Sequence, residues 1–246
     1  MWALGDYHAF ATTMVWDLGP ELVSACAIGP GQRVLDVAAG TGNVALRAAE
    51  ARADVVALDI TPESLAAGRA EGERRGLAID WVEGDAENLP FPDAEFDVVT
   101  SAVGAIFAAD QQAVADELVR VCRPGGTIGM INFTPEGLAT EFFALFGAPA
   151  TPMLWGSEAH VRELLGDRVS SLDMTRRMLV ERHAGGPEGY VEFYKRTFGP
   201  VVASYAAAPD PDALDRNFHD FARRANRGSP AEYHYEYLLV TARRSG

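Results

Sequence analysis

Cysteine is nearly absent: Cys26 and Cys122 are the only two in 246 residues. So few exclude a disulfide-stapled scaffold, and neither stands at a metal-ligand spacing. Both fall in apolar helical patterns far apart in sequence, which favours two buried thiols over a bridge. Positive charge is also scarce, with 21 Lys and Arg against 35 acids and a net charge of −14. A surface that acidic repels phosphate backbones and anionic bilayers, so neither nucleic acid nor membrane is an expected partner. The pairs Arg74-Arg75 and Arg223-Arg224 are expected on solvated helix faces. No uninterrupted apolar run is long enough to span a bilayer. The N-terminal MWALGDYHAF lacks the basic-then-apolar order of a signal peptide, so the expected location is cytoplasmic.

What is present suits one enlarged α/β domain. A helix is expected over 8–28, broken or kinked at Gly19-Pro20. Short apolar strands follow at 33–37, 54–60, 79–83, 96–101 and 127–133. Val55, Val56, Ala57 and Leu58 form a continuous run, as in a parallel strand covered on both faces. Helices separate several of these strands. One spans 42–52; another opens at Thr61-Pro62-Glu63, with Thr61 as cap, and stops at Gly76. Asp110 caps a third, and Arg123-Pro124-Gly125-Gly126 ends it. This alternation implies a parallel, doubly wound sheet. Helices are then expected at 136–147, 157–165, 187–207 and 210–227. Alternating Leu172, Met174, Met178 and Val180 mark a long strand, and Tyr233, Tyr235, Tyr237 and Leu239 a closing one.

The segment DVAAGTGNVALRAA, 36–49, is a strand, a glycine turn and a helix, a device that brings backbone N–H groups close to a ligand. Gly40-Thr41-Gly42-Asn43-Val44-Ala45 even satisfies the dinucleotide pattern. Two features point elsewhere. Asp36 stands four residues before Gly40, where its carboxylate would repel a diphosphate and suit a cationic amino-acid end. S-adenosylmethionine carries an ammonium and a sulfonium and no phosphate. Further acids then follow at strand ends. Asp59 can accept from two ribose hydroxyls, and in Gly84-Asp85-Ala86 the Asp85 carboxylate and Ala86 N–H can meet an adenine edge. The plainer roles are a helix-capping acid for Asp36, a strand end for Asp59 and a turn aspartate for Asp85.

VLDVAAGTG, VVALDIT, EGDAENLPFPDAEFDVV and ELVRVCRPGG, in that order, resemble a class I S-adenosylmethionine-dependent methyltransferase over roughly residues 30–135. The resemblance implies a Rossmann-like α/β fold with a seven-stranded sheet of order 3-2-1-4-5-7-6, its seventh strand antiparallel. It implies that Asp36, Ala38, Gly40 and Gly42 line the methionine part of the cofactor. It likewise implies Asp59 and Ile60 at the ribose, Asp85 and Ala86 at the adenine, and Ser101 facing the transfer site. The chain then divides into an N-terminal helical lid (1–29), a cofactor-binding core (30–135), a substrate-side cover (136–230) and a closing strand (231–246).

Methyl transfer from a sulfonium is an in-line displacement, so alignment and water exclusion carry much of the rate. A base matters only where the nucleophile bears a proton. The lid holds Trp2, Tyr7, His8, Phe10 and Trp16. Phe10 and Trp16 are expected to pack on the core, while Tyr7 and His8 are the candidates to touch ligand. None of the five histidines sits in a recognisable catalytic motif, and His8 is the best placed. An aromatic stripe on 187–207, with Phe133, Phe142, Phe146 and Trp155, could wall a pocket for a hydrophobic acceptor. The expected activity is methylation of an O, N or C atom of a small molecule, yielding S-adenosylhomocysteine. A nicotinamide oxidoreductase and a non-catalytic S-adenosylmethionine-binding protein are the alternatives.

Overall fold

The computed structural model describes residues 4–148 and 151–246, so Trp2 lies outside the described residues. Helices α1 (Tyr7–Met14) and α2 (Leu18–Ala25) precede the sheet. The break between them falls before Gly19-Pro20, which sits in the first turn of α2, where a proline lacks no needed N–H. Gly19 is required there because a Cβ would come within 2.5 Å of the Asn43 carbonyl. An unforeseen cap opens α1, as Asp6 accepts from the Ala9 N–H at 3.0 Å.

Seven strands form one sheet: β1 (Arg33–Val37), β2 (Asp54–Asp59), β3 (Asp80–Glu83), β4 (Phe96–Ala102), β5 (Cys122–Phe133), β6 (Val169–His183) and β7 (Ala231–Arg244). Their order is β3-β2-β1-β4-β5-β7-β6, as expected, with β7 antiparallel to both neighbours. The parallel strands β1 and β2 pair from Arg33↔Asp54 to Val37↔Leu58. Val34, Leu35, Val37 and Ala57 are fully shielded, as apolar runs under helices on both faces should be. The sheet's strand order reverses about β1, with β2 on one side and β4 on the other, and a crevice opens at the carboxyl ends there.

Helices α3 (Asn43–Glu50), α4 (Pro62–Arg75) and α5 (Gln111–Val121) connect the parallel strands. Gly76 stops α4 in the left-handed conformation, at φ 69°. Thr61 makes no side-chain cap to α4. Asp110 does cap α5, accepting from the Ala113 N–H at 3.0 Å. The Arg123–Gly126 stretch belongs to β5, bulging where the register against β4 shifts.

The later helices are α6 (Leu138–Leu145), α7 (Glu158–Leu165), α8 (Gly186–Thr197), α9 (Gly199–Ala207) and α10 (Pro211–Ala225). The single helix expected over 187–207 is thus two. Phe198 is extended, at φ −99° and ψ 107°, and Pro200 follows in the first turn of α9. The β6 pattern also differs from the sequence reading. Met178 is 49% exposed, whereas Leu179, Glu181 and His183 are buried. Both cysteines are free and buried. Arg74 and Arg75 pair with Glu71, and Arg223 and Arg224 pair with Glu188 and Glu141, on exposed or partly exposed faces.

Candidate functional site

Beyond β1 the chain turns through three left-handed positions, Ala38, Gly40 and Gly42, at φ 53°, 57° and 86°. Glycine suits two of them because it has no Cβ to clash. At Gly42 a Cβ would also strike the Trp81 ring at 2.5 Å, so this glycine is demanded by packing of the loop on β3. At Gly40 a Cβ would meet Tyr7 Cε1 at 3.1 Å, which lays the Tyr7 ring against the turn.

Two acids hold this loop. Asp59, at the end of β2, accepts from the Gly40 N–H at 2.7 Å through Oδ2 and from the Thr61 N–H at 2.8 Å through Oδ1. Each oxygen keeps acceptor capacity for a ligand hydroxyl. Asp36 lies beneath the turn, 1% exposed. It accepts from the Ala45 N–H at 3.0 Å and from Thr100 Oγ1 at 3.1 Å. Burial raises its carboxyl to about 7 against the hydrogen bonds of Thr100 and Ala45, and the Asp59 charge adds to the rise.

The crevice encloses about 340 Å³ and is lined by Ala38, Gly40, Asp59, Ile60, Asp85 and Ala86, with Tyr7 at its rim. Ile60 is 61% exposed, an apolar wall open to a ligand. Asp85 accepts from the Glu87 N–H at 2.9 Å, forming an Asx turn after β3. The structure thus brings together six of the nine residues expected around the cofactor. Asp36, Gly42 and Ser101 stand behind that lining. Ser101 accepts from the Ala105 N–H at 3.1 Å and so shapes the loop after β4.

Sequence reasoning missed Glu87, Val103, Gly104 and Phe107, which also line the crevice. Glu87 accepts from the Ala109 and Asp110 N–H groups at 2.6 and 2.9 Å, linking the loop after β3 to the loop before α5. Gly104 abuts the β1 turn so closely that a Cβ would lie 2.4 Å from the Ala38 carbonyl. Val103 is held at φ 57°, an outlier for a β-branched residue. Glu87 falls only two residues past the motif acid Asp85, but nothing local distinguishes it from a solvated loop glutamate.

A second, narrower cavity of about 50 Å³ adjoins the first and shares Tyr7, Val103 and Phe107 with it. Its walls include Phe10, Phe133, Phe142, Tyr194, Phe198 and Tyr235. Phe10 stacks on Phe198, centroids 4.4 Å apart, so it both packs α1 and walls the cavity. Phe146 and Trp155 are not in this wall. Trp16 faces away, under the guanidiniums of Arg47 and Arg75 at 4.5 and 5.2 Å. Tyr7 borders both cavities; burial and then the Asp59 charge push its phenol well above the ordinary range. His8 lines neither cavity, and its Nδ1 is buried with no partner among the described residues.

Among the described residues, no cluster of His, Cys, Asp and Glu could hold a metal, and no helix is long and apolar enough to cross a membrane. Residues 34–126 match a family described as a methyltransferase domain. An uncharacterized protein of Mycobacterium tuberculosis is 44% identical over 254 residues, spanning 98% of this chain and 92% of that protein. A demethylmenaquinone methyltransferase of Thermus thermophilus is 44% identical over 129 residues, 51% of this chain and 59% of that enzyme. Among solved structures, the YcgJ protein of Bacillus subtilis shares the fold. Its TM-score is 0.66 at 18% identity, covering 94% of this chain and 99% of that one.

Proposed function

We infer the function from family: the chain belongs to the class I S-adenosylmethionine-dependent methyltransferases and is an enzyme that uses S-adenosylmethionine as its methyl donor. We propose that its acceptor is a small hydrophobic or aromatic molecule, held where the donor crevice meets the aromatic cavity, at Tyr7, Val103 and Phe107. The observation that carries the donor site is its charge. Asp59, Asp85 and Glu87 line the crevice, and no Lys, Arg or His does among the described residues. A diphosphate would find no cationic side chain there and would be repelled by Asp85 and Glu87, whereas a nucleoside with a sulfonium and an ammonium is attracted. That charge pattern opposes a nicotinamide dinucleotide.

When bound, S-adenosylmethionine supplies an electrophilic methyl on a cationic sulfur. The chain's own residues bind, orient and dehydrate. Asp59 receives the ribose hydroxyls on the lone pairs its two backbone bonds leave free. Asp85 and the Ala86 N–H take the adenine edge, and Ile60 lies with Asp59 at the ribose. Ala38 and Gly40 bring backbone to the methionine part, with Tyr7 closing over it. Asp36 acts from beneath, fixing the turn through Ala45 and Thr100 and adding negative potential. Ser101 and Gly42 shape the loops without facing the ligand. The 1–29 and 136–230 segments exclude water from an in-line displacement, in which alignment provides much of the acceleration.

Titration calorimetry with S-adenosylmethionine, S-adenosylhomocysteine and NADH tests the reading. The first two should bind and the third should not. Asp59→Ala should weaken S-adenosylhomocysteine by about 2 kcal/mol, roughly thirtyfold, for two lost charge-assisted hydrogen bonds. Uptake of NADH with indifference to the sulfonium nucleoside would overturn the assignment, and an unchanged affinity in the variant would remove Asp59 from the ribose.

A further inference from the structure

Beyond the aromatic cavity lies a buried acid that the donor site does not use. Glu181 is 2% exposed, and its side chain is shut off from solvent. The register of β6 on β7 sets Glu181 opposite Tyr233 and Leu179 opposite Tyr235, so these side chains share a face. Helix α8 covers that face with Tyr190 and Tyr194, four residues and about one turn apart. Tyr194 Oη donates to Glu181 Oε2 at 2.9 Å. His183 Nε2 lies 2.9 Å from Glu181 Oε1. Tyr235 Oη lies 3.4 Å from Tyr194 Oη and 2.6 Å from Tyr190 Oη.

Burying a carboxylate is costly, and no Lys or Arg bonds to this one among the described residues. An apolar side chain would fill the same space without that penalty. The arrangement has one further property. Tyr194 and Tyr235 are wall residues of the aromatic cavity, so the hydrogen-bonded chain that ends on Glu181 starts in that wall.

We propose that Tyr235, Tyr194 and Glu181 form a proton relay that deprotonates a phenolic hydroxyl of the acceptor, with His183 holding the carboxylate. The relay rests on the methyl-transfer reading above. Tyr190, donating to Tyr235, leaves the Tyr235 proton free to turn toward Tyr194. The acceptor hydroxyl gives its proton to Tyr235 Oη, Tyr235 gives its own to Tyr194 Oη, and Tyr194 gives its own to Glu181 Oε2. Each O–H bond broken is matched by one formed. The acceptor ends as a phenoxide and Glu181 as a carboxylic acid. The phenoxide oxygen then bonds to the methyl carbon while the sulfur–carbon pair stays on sulfur. Once the product has left, Glu181 returns its proton back along Tyr194 and Tyr235 to water entering the cavity, so one proton is released per methyl transferred.

The tyrosines cannot themselves be the sink. Burial, then the neighbouring acid and phenols, hold all three well above the ordinary phenol range, so they pass protons while staying neutral. The 3.4 Å step is long for a hydroxyl pair, as such bonds often are before the reacting complex forms. Tyr235 is the catalytic residue of this scheme, while Tyr194, Glu181 and His183 act through it.

The test uses 4-nitrophenol as probe, with the full chain loaded with sinefungin, whose ammonium stands in for the sulfonium methyl. The visible absorbance of the nitrophenolate reports ionisation of the bound probe against pH. About two pH units below the point at which the free probe ionises, the wild-type complex should hold about tenfold more nitrophenolate than the free probe does, because the proton passes to Glu181 within the complex and no net charge is added. Glu181→Gln and Tyr194→Phe should abolish that gain while leaving sinefungin affinity unchanged. Should Glu181→Gln not fold, Tyr194→Phe, which removes one hydroxyl and keeps the ring, decides alone. Equal ionisation in the wild type and Tyr194→Phe would overturn the relay, as would a sinefungin-loaded wild type that does not take up the probe. Failure of the wild type to bind sinefungin would strike the methyl-transfer reading first, and the relay with it.

Discussion

Asp36→Asn isolates the buried acid beneath the glycine turn. The amide preserves the local bonding. Its oxygen takes the Ala45 N–H, and its nitrogen donates to Thr100 Oγ1, whose proton turns to the Leu35 carbonyl 3.3 Å away. What changes is titration. Burial raises the folded carboxyl from its ordinary 3.8 to about 7. Between those values the folded chain holds a proton that the unfolded chain has released. Stability from this group is therefore full below its unfolded pKa and is lost as pH rises through about 7. The gap corresponds to about 4 kcal/mol, of which about 3 kcal/mol falls between roughly pH 5 and 8. Urea unfolding of wild type and variant across that range gives the difference directly. Taking the difference cancels carboxylates such as Glu71 and Glu117, which arginine neighbours hold low and which act in the opposite sense. The variant should gain on the wild type steadily toward alkaline pH. A ligand effect follows from the same group. A net-cationic donor favours the ionised carboxylate, so S-adenosylmethionine binding near about pH 6.5 should release part of a proton from wild type and none from this site in the variant. Parallel stability curves, or equal proton release, would refute the account of Asp36.

Two further substitutions probe the loop and the aromatic wall. Gly40→Ala places a Cβ at φ 57° and 3.1 Å from Tyr7 Cε1. It should cost about 1–2 kcal/mol in urea unfolding and weaken S-adenosylhomocysteine in calorimetry; no change in either would contradict the close packing of Tyr7 on the turn. Phe142→Ala removes a ring that packs within 4.8 Å of Tyr194 and 5.8 Å of Phe218, centroid to centroid. It should cost about 3–5 kcal/mol by denaturant midpoint, and a loss below about 1 kcal/mol would mean that α6 is not anchored there.

The donor crevice was largely legible because its signals are local. A strand, a left-handed turn and a helix must occupy consecutive residues, and each further acid stands at the end of its own strand. The placement of Asp36 was not legible. Its position in sequence favoured a ligand contact, whereas the fold buries it on bonds to Ala45 and Thr100 beneath the turn. Gly42 is similar, since its partner Trp81 arrives from another strand. The acid Glu181 was hidden by phase. Apolar Met178 and Val180 suggested that even-numbered residues of β6 face inward, which set Glu181 outside. In the fold α8 covers Leu179, Glu181 and His183, and Met178 is exposed.

By itself the sequence determined most of the strands and the glycine turn, because backbone periodicity and turn geometry act over a few residues, while the strand order and the family of the donor site were implied by the resemblance of its ordered motifs. Tertiary structure alone decided which acids face the crevice and which support it. It alone joined Tyr190 and Tyr194 to Tyr235, more than forty residues away in the chain. Those outcomes depend on sheet register and on which helix covers which face, and neither is encoded in any one stretch of chain.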